Sequence, residues 1–378
     1  IMPSLVGSEM CIRDRSMNVE MPKVDTAAEL QRSEFLLIGC RHGSEAALEI
    51  RQKIAFPLFR KSYWRKGLVT FRVPSLTLTN SQWNDFRIPT DVLDNLVFGR
   101  IGIRSLGQVT GQTEEERITA THQLLTSIRF QNVHVWKRDP RLNVDTESIH
   151  RKLTDSLMSL NEKLFLPTTH LILNCVVDSE DRWWIGVHSD ESRGAQWSGG
   201  YYPNQIPAHK ISRAWLKLDE AIARFEIHFH PGDRVCEHGA SPGGACQRLL
   251  EADLEVVGVD PAAIDSQIAR HPRFTHWKKR ARDIKMKSFY GFDWILTDMN
   301  IDPASTMTAL ERILVSPSLR PQGIIATLKL SDVSIAEKIG DWCASFGSWG
   351  YQTRVQQLST GGQEICLVAQ KACDHKSK

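Results

Sequence analysis

The chain has 378 residues, 41% of them hydrophobic and 24% charged, with a formal net charge of +3. This length and composition exclude a largely disordered chain and fit two domains, and no apolar run approaches the roughly 20 residues of a membrane-spanning helix. The charge is compatible with a nucleic-acid partner without being diagnostic of one. The eight cysteines form no CxxC pair and no Cys/His cluster at zinc spacing, so reduced thiols, a cytoplasmic protein and no metal site are expected.

"LVGSEMCIRDR" (Leu5–Arg15) has no apolar targeting core. It can be encoded by DNA resembling a transposase-type sequencing adapter. Residues 1–16 are therefore set aside as an artefact, with the biological start expected at Met17 or Met21. "EFLLIGCRHG" (Glu34–Gly43) predicts a strand and turn, and Ser44 then caps a helix. Strands follow at Gly67–Pro74 and Phe98–Val109. "TEEERITATHQLLTSI" (Thr113–Ile128) is a capped helix with acids in its first turn. "NVHVWKRD" is a strand, "ESIHRKLTDSLMSLNEKL" a helix, and His170–Ser189 a hairpin. Within that hairpin the Trp183–Trp184 pair is expected to pack rather than to stack bases. Residues 17–191 thus read as an α/β domain without a catalytic motif. The Gly-, Pro- and aromatic-rich stretch 192–210 breaks every periodicity and predicts a linker. Residues 211–372 restart the strand–helix alternation, as expected of an open, mostly parallel sheet, and 373–378 are expected to be a disordered tail. His228 and His230 have no third ligand nearby and read as loop histidines.

"CEHGASPGGACQRLLEADLEVVGVDPA" (Cys236–Ala262) is the informative stretch. Its turn, Gly239-Ala-Ser241-Pro242-Gly243-Gly244, lacks the middle glycine of a dinucleotide fingerprint and the GKS or GKT of a phosphate loop. Glycines let backbone approach a ligand closely. Asp260 ends the next strand, where a carboxylate can accept from a ribose diol. Together these features point to S-adenosylmethionine. Further on, "FDWILTDM" ends near Asp298, "GIIATLKL" near Lys329, and "QEICLVAQ" opens at Glu364, while Lys217 lies on the helix "SRAWLKLDEA" before the glycine strand. Charged groups at the ends of buried-type strands line the ligand crevice of an open α/β sheet.

This series, SRAWLKL, GASPGG, VVGVD, LTDM, LKL and a Glu-opened strand, resembles the FtsJ-like ribose 2′-O-methyltransferases. The likeness is strong over Ser212–Val368, and weaker and architectural over Glu34–Ser189. It implies a Rossmann-like S-adenosylmethionine-dependent methyltransferase domain behind a THUMP-like RNA-binding domain. It also implies ribosomal RNA as partner, with a cytidine of the large-subunit RNA as target. Its catalytic tetrad would fall on Lys217, Asp298, Lys329 and Glu364, with Lys329 as general base. Cofactor contacts would fall on Ser212, Glu237, Gly239, Ser241, Pro242, Gly243, Gly244, Asp260, Asp283 and Asp298. Burial and Lys217 would push the pKa of Lys329 down, and the two carboxylates would push it up.

One departure stands out. The family usually enters the turn with Asp-Leu, whereas this chain has Glu237-His238. Two other functions are weighed against the tetrad. A THUMP-linked base methyltransferase needs an Asn/Asp-Pro-Pro-Tyr/Phe motif where this chain reads "DMNIDP". A non-catalytic RNA-binding protein with a relic pocket would have no need of the intact charged set.

Overall fold

The computed structural model describes residues 35–73, 90–125, 128–160, 165, 169–316 and 318–371. The expected artefact over 1–16 and the expected tail over 373–378 lie outside them. In the N-terminal half, β1 (Phe35–Cys40) leads into α1 (Glu45–Ala55), and β2 (Arg60–Arg65) and β3 (Leu68–Arg72) form a hairpin. Then come α2 (Thr90–Leu96), β4 (Gly99–Thr110), α3 (Glu114–Leu124), β5 (Asn132–Lys137) and α4 (Thr146–Leu160). β6 (Leu171–Ser179) and β7 (Arg182–Ser189) close the half as the expected hairpin. Thr113 caps α3 by accepting from Glu116 N, as its TEEE start requires. The seven strands form one sheet, β2-β3-β1-β4-β7-β6-β5. β4 is its middle strand and is buried from Gly99 through Leu106, which is why its alternation is only partial. Trp183 is fully buried, in line with a packing role.

The C-terminal half contains α5 (Arg213–Arg224), β8 (Arg234–His238), α6 (Gly244–Leu250), β9 (Glu255–Val259), α7 (Ser266–Ala269) and β10 (Phe274–Trp277). It continues with β11 (Trp294–Thr297), α8 (Pro303–Leu314), β12 (Gly323–Lys329), α9 (Ile339–Ser348), β13 (Tyr351–Gln356) and β14 (Glu364–Lys371). Strand order is β10-β9-β8-β11-β12-β14-β13, with β14 antiparallel to both neighbours and the other adjacent pairs parallel. This is a doubly wound, Rossmann-like sheet. Its order reverses between β8 and β11, so the ligand crevice opens at their C-terminal ends.

The halves share one of their core clusters. One cluster joins Leu36, Phe71 and Phe98 to Leu328, Phe346 and Ile365. Across the same joint Gln357 N donates to Val97 O at 2.9 Å and Gln356 Nε2 to Gly99 O at 2.7 Å. The stretch expected to be a linker is packed rather than loose. Arg224 lies 4.7 Å from the Trp197 ring centroid and donates to Gly200 O at 2.7 Å. Gly200 has φ +68, and a Cβ there would lie 2.5 Å from Arg100 O. The glycines of "WSGG" are thus steric necessities of a tight joint.

Gly200→Ala is expected to destabilise the protein by roughly 1–3 kcal/mol from backbone strain alone, with the Arg100 clash adding to it. Gly232→Ala carries the same kind of strain, φ +85, in open space. Urea denaturation should show the larger loss at Gly200; equal losses would mean the joint yields without cost.

Candidate active site

Four charged side chains meet at the C-terminal edge of the second sheet. Lys329 is the last residue of β12 and Glu364 the first of β14, and the antiparallel register sets them directly opposite. Asp298 follows β11, its N–H donating to His238 O at 3.0 Å. Lys217 projects from α5, whose N-terminus Ser212 caps by accepting from Ala214 N. The four close into a ring of alternating sign. Lys329 Nζ donates to Asp298 Oδ1 at 3.0 Å and to Glu364 Oε2 at 2.5 Å. Lys217 Nζ lies 3.2 Å from Glu364 Oε1 and donates to Asp298 Oδ2. Side-chain exposure runs from 11% at Glu364 to 27% at Lys329, so the ring is sheltered yet reachable. Burial pulls the Lys329 pKa down, but hydrogen bonds and attraction from Glu364 and Asp298 prevail and hold it above its ordinary value. Burial raises the Glu364 pKa, and the charges of Lys217 and Lys329 outweigh that and hold it below the usual carboxylate range.

Beside the ring a cavity of about 770 Å³ opens between the ends of β8, β9 and β11. Gly239, Asp260, Lys279, Arg280 and Met299 are among its lining residues. The φ of +84 at Gly239, and the 2.7 Å that would separate a Cβ from Asp298 O, explain the glycine. Asp260 accepts from Ser241 N at 3.1 Å and Ala262 N at 2.8 Å, one bond per oxygen, which leaves lone pairs for a ligand. Gly243 has φ +117, and Ser212 Oγ fills the space a side chain at Gly244 would need. Ser241 Oγ donates to Ala263 O. Pro242 belongs to the same turn and accepts from Asp265 N at 2.8 Å. Asp283 is 58% exposed and follows the wall residue Arg282 without lining the cavity itself.

Glu237 lies elsewhere. It is fully buried and faces a cavity of about 30 Å³ that Lys217, Thr297 and Asp298 also line. Burial pushes its pKa up to about 8; the Cys246 thiol, donating at 2.8 Å, opposes this and Asp298 adds to it. His238 is held neutral by burial, its pKa pushed down to about 4. Neither ring nitrogen has a hydrogen-bond partner, and the ring packs edge-on to Phe289 at 5.6 Å. His238 therefore fills the place of an apolar residue. Sequence reasoning missed Cys246 and the cationic wall of Lys279, Arg280 and Arg312, although the charge run was visible. His228 and His230 are exposed, and no group of His, Cys, Asp and Glu among the described residues could hold a metal ion.

Residues 211–351 match the family model of the FtsJ-like methyltransferases. The second half of the chain is thus similar to the FtsJ-like methyltransferases. The chain is 24% identical over 295 residues to ribosomal RNA large subunit methyltransferase M of Saccharophagus degradans, covering 74% of this chain and 81% of that protein. It is 25% identical over 291 residues to the protein of the same name from Xanthomonas campestris pv. campestris, covering 71% and 79%. Against that of Azotobacter vinelandii it is 28% identical over 134 residues, covering 32% and 36%. The protein is an S-adenosylmethionine-dependent methyltransferase. The 770 Å³ cavity fits that cofactor: Asp260 offers a carboxylate for a ribose, Val259, Met299 and Ile301 offer apolar wall, and Gly239 leaves the turn open. No helix among the described residues is long and apolar enough to cross a membrane.

Glu237 predicts a pH signature in this methyltransferase. Its folded pKa of about 8 exceeds the reference 4.5, so the folded state holds the proton longer. Stability from this group is full below about pH 4.5 and is lost as pH rises towards 8. Glu237→Gln should flatten that part of the thermal stability profile. An unchanged slope would mean the carboxyl ionises freely in the fold.

Proposed function

We propose that the protein transfers a methyl group to a ribose 2′-hydroxyl of ribosomal RNA, with a cytidine of the large-subunit RNA as target and residues 35–191 as the RNA-binding, THUMP-like part. The observation that carries this reading is the closed ring of Lys217, Asp298, Lys329 and Glu364 beside the cofactor cavity. The names of the relatives support the ribosomal substrate. A base methyltransferase is disfavoured by the fate of "DMNIDP": Asp302 caps α8 by accepting from Ser305 N, and Pro303 opens that helix. Neither is free to grip an exocyclic nitrogen.

When bound, the cofactor supplies a methyl group on a sulfonium whose leaving group is a neutral thioether. The ring's part is to hold the hydroxyl in line and to take its proton. Asp260 and the Gly239–Gly244 turn would hold the cofactor, and Lys329 would take the hydroxyl proton as the ribose oxygen accepts the methyl group. In the resting ring Lys329 is an ammonium, so it must first release a proton. A cation brought beside it lowers its pKa and favours that release. Asp298 and Glu364 aim the lysines, and Lys217 helps hold the Glu364 pKa below the usual carboxylate range. Positioning supplies the rest of the acceleration.

Lys329→Ala is expected to leave cofactor affinity nearly intact and to slow single-turnover methyl transfer by roughly 10²–10⁴-fold. Lys329→Arg should not rescue it, because a guanidinium keeps its proton. The wild-type rate should climb with pH through neutrality into the alkaline range. Near-normal transfer by Lys329→Arg would reduce the lysine to a positioning group and hand the proton to Asp298 or water. Methyl transfer from labelled S-adenosylmethionine, followed by mapping of alkali-resistant linkages in ribosomal RNA, tests the substrate itself.

A further inference from the structure

The positive charge of this protein is concentrated. Residues 277–287 read "WKKRARDIKMK", with Lys278, Lys279, Arg280, Arg282, Lys285 and Lys287 against the single acid Asp283. Residues 60–66 read "RKSYWRK", with Arg60, Lys61, Arg65 and Lys66 and no acid. The whole chain carries only +3, so the remainder is net acidic. All ten of these cations are exposed. Among the described residues, the one ion pair of residues 277–287 is a loose contact of Arg282 with Asp283 at 3.9 Å, and that of residues 60–66 joins Lys61 to Glu49.

The aromatic side chains follow the same pattern. Among the described residues the exposed aromatics are Trp64, at 50%, and Tyr290, at 52%. Trp64 lies within the first basic segment in the sequence and Tyr290 three residues past the second. Neither position is explained by packing. Trp64 stands on β2, the outer edge strand of its sheet, and the neighbouring Tyr63 turns the other way, with its ring against Trp184 and its hydroxyl donating to Asp178. Tyr290 is tied through its backbone, accepting from Arg234 Nη1, while its ring is left in solvent.

The segments lie to either side of the reaction centre. The first strand-end loop, from Lys278, leaves β10 at one edge of the catalytic sheet, and Lys279, Arg280 and Arg282 rim the large cavity. The N-terminal half abuts the opposite side, at the loop between β13 and β14, where Arg41 donates to Gly361 O at 2.5 Å, and its sheet ends in β2. S-adenosylmethionine carries a single carboxylate, which the cations of this rim outnumber. A phosphodiester chain gains from a rim of cations, and each base it leaves unpaired can stack on an open ring.

We propose that residues 60–66 and 278–290 are two separate contact surfaces for single-stranded segments of the RNA substrate, with phosphates on the cations and one base each on Trp64 and Tyr290. This rests on the RNA-substrate reading above and locates the surfaces. The test uses the full chain and a fluorescein-labelled single-stranded RNA oligonucleotide of mixed sequence, titrated over a range of salt. Lys278→Ala, Lys285→Ala and Lys287→Ala combined should lower the slope of log affinity against log salt by about 2, since each lost phosphate contact on a single strand removes about 0.7. Arg60→Ala, Arg65→Ala and Lys66→Ala combined should do the same. Trp64→Ala and Tyr290→Ala should each weaken binding by roughly tenfold with the slope unchanged. None of the substituted residues lines the cofactor cavity, so unchanged S-adenosylmethionine affinity certifies the fold of each variant. Unchanged RNA affinity and slope in the two triple variants would overturn the proposal. So would a wild-type chain that binds anionic phospholipid vesicles and not the RNA. Failure of ribose methylation with these RNA signatures intact would instead count against the proposed reaction.

Discussion

The pairing register of β12 with β14 governs the reaction centre. It sets Lys329 directly opposite Glu364, and a slip of one residue would turn both side chains to the other face of the sheet. Once that pair is fixed, Asp298 and Lys217 complete a ring in which every charge touches two of opposite sign. Four half-sheltered charges would be costly singly, because desolvation is repaid only by good partners. In the ring each is compensated twice, so the arrangement holds two lysines and two carboxylates close together at the mouth of a ligand cavity.

That register depends in turn on the joint between the halves. Glu220, on α5, accepts from Ser359 N at 2.9 Å and Thr360 N at 2.8 Å, and so anchors the loop that leads into Glu364. Glu220 also takes Arg224, whose guanidinium lies over Trp197 and donates to Gly200 O. The "WSGG" stretch is therefore connected to the catalytic carboxylate through Arg224, Glu220 and the 359–363 loop. The N-terminal half adds Phe71 and Phe98 to the cluster that contains Leu328 and Ile365, one residue from Lys329 and Glu364 respectively. The first half of the chain is thus part of the scaffold that holds the reaction centre.

What could be read from the sequence was what is local. A glycine turn after a short apolar strand, an acid at the next strand end and a capped helix are each set by neighbours in the chain, and all appear as expected. The three strands that escaped notice, β2, β10 and β13, are all edge strands. "RKSYWR" and "YQTRVQ" carry polar groups on exposed faces and pair on one side only, so neither shows the apolar alternation of a half-buried strand. β13 places β14, and with it Glu364, inside the sheet between β12 and β13. The partners of Lys217 are more than eighty residues away in the chain, so the helix pattern alone does not show them. The 192–210 stretch was read as a linker from its composition, and composition does not distinguish a loose glycine from one pressed against Arg100 O.

The Glu237-His238 departure follows the same logic of balance. An ionised carboxylate at Glu237 would set a further negative charge beside Asp298 and disturb a ring that otherwise sums to zero. Complete burial prevents this, since it raises the pKa to about 8 and keeps the group largely neutral at physiological pH. His238 is neutral for the same reason and packs on Phe289 as an apolar ring would. Two titratable residues thus stand beneath the site without adding charge to it. What tolerates them is their burial at the end of β8, which favours the neutral form of each.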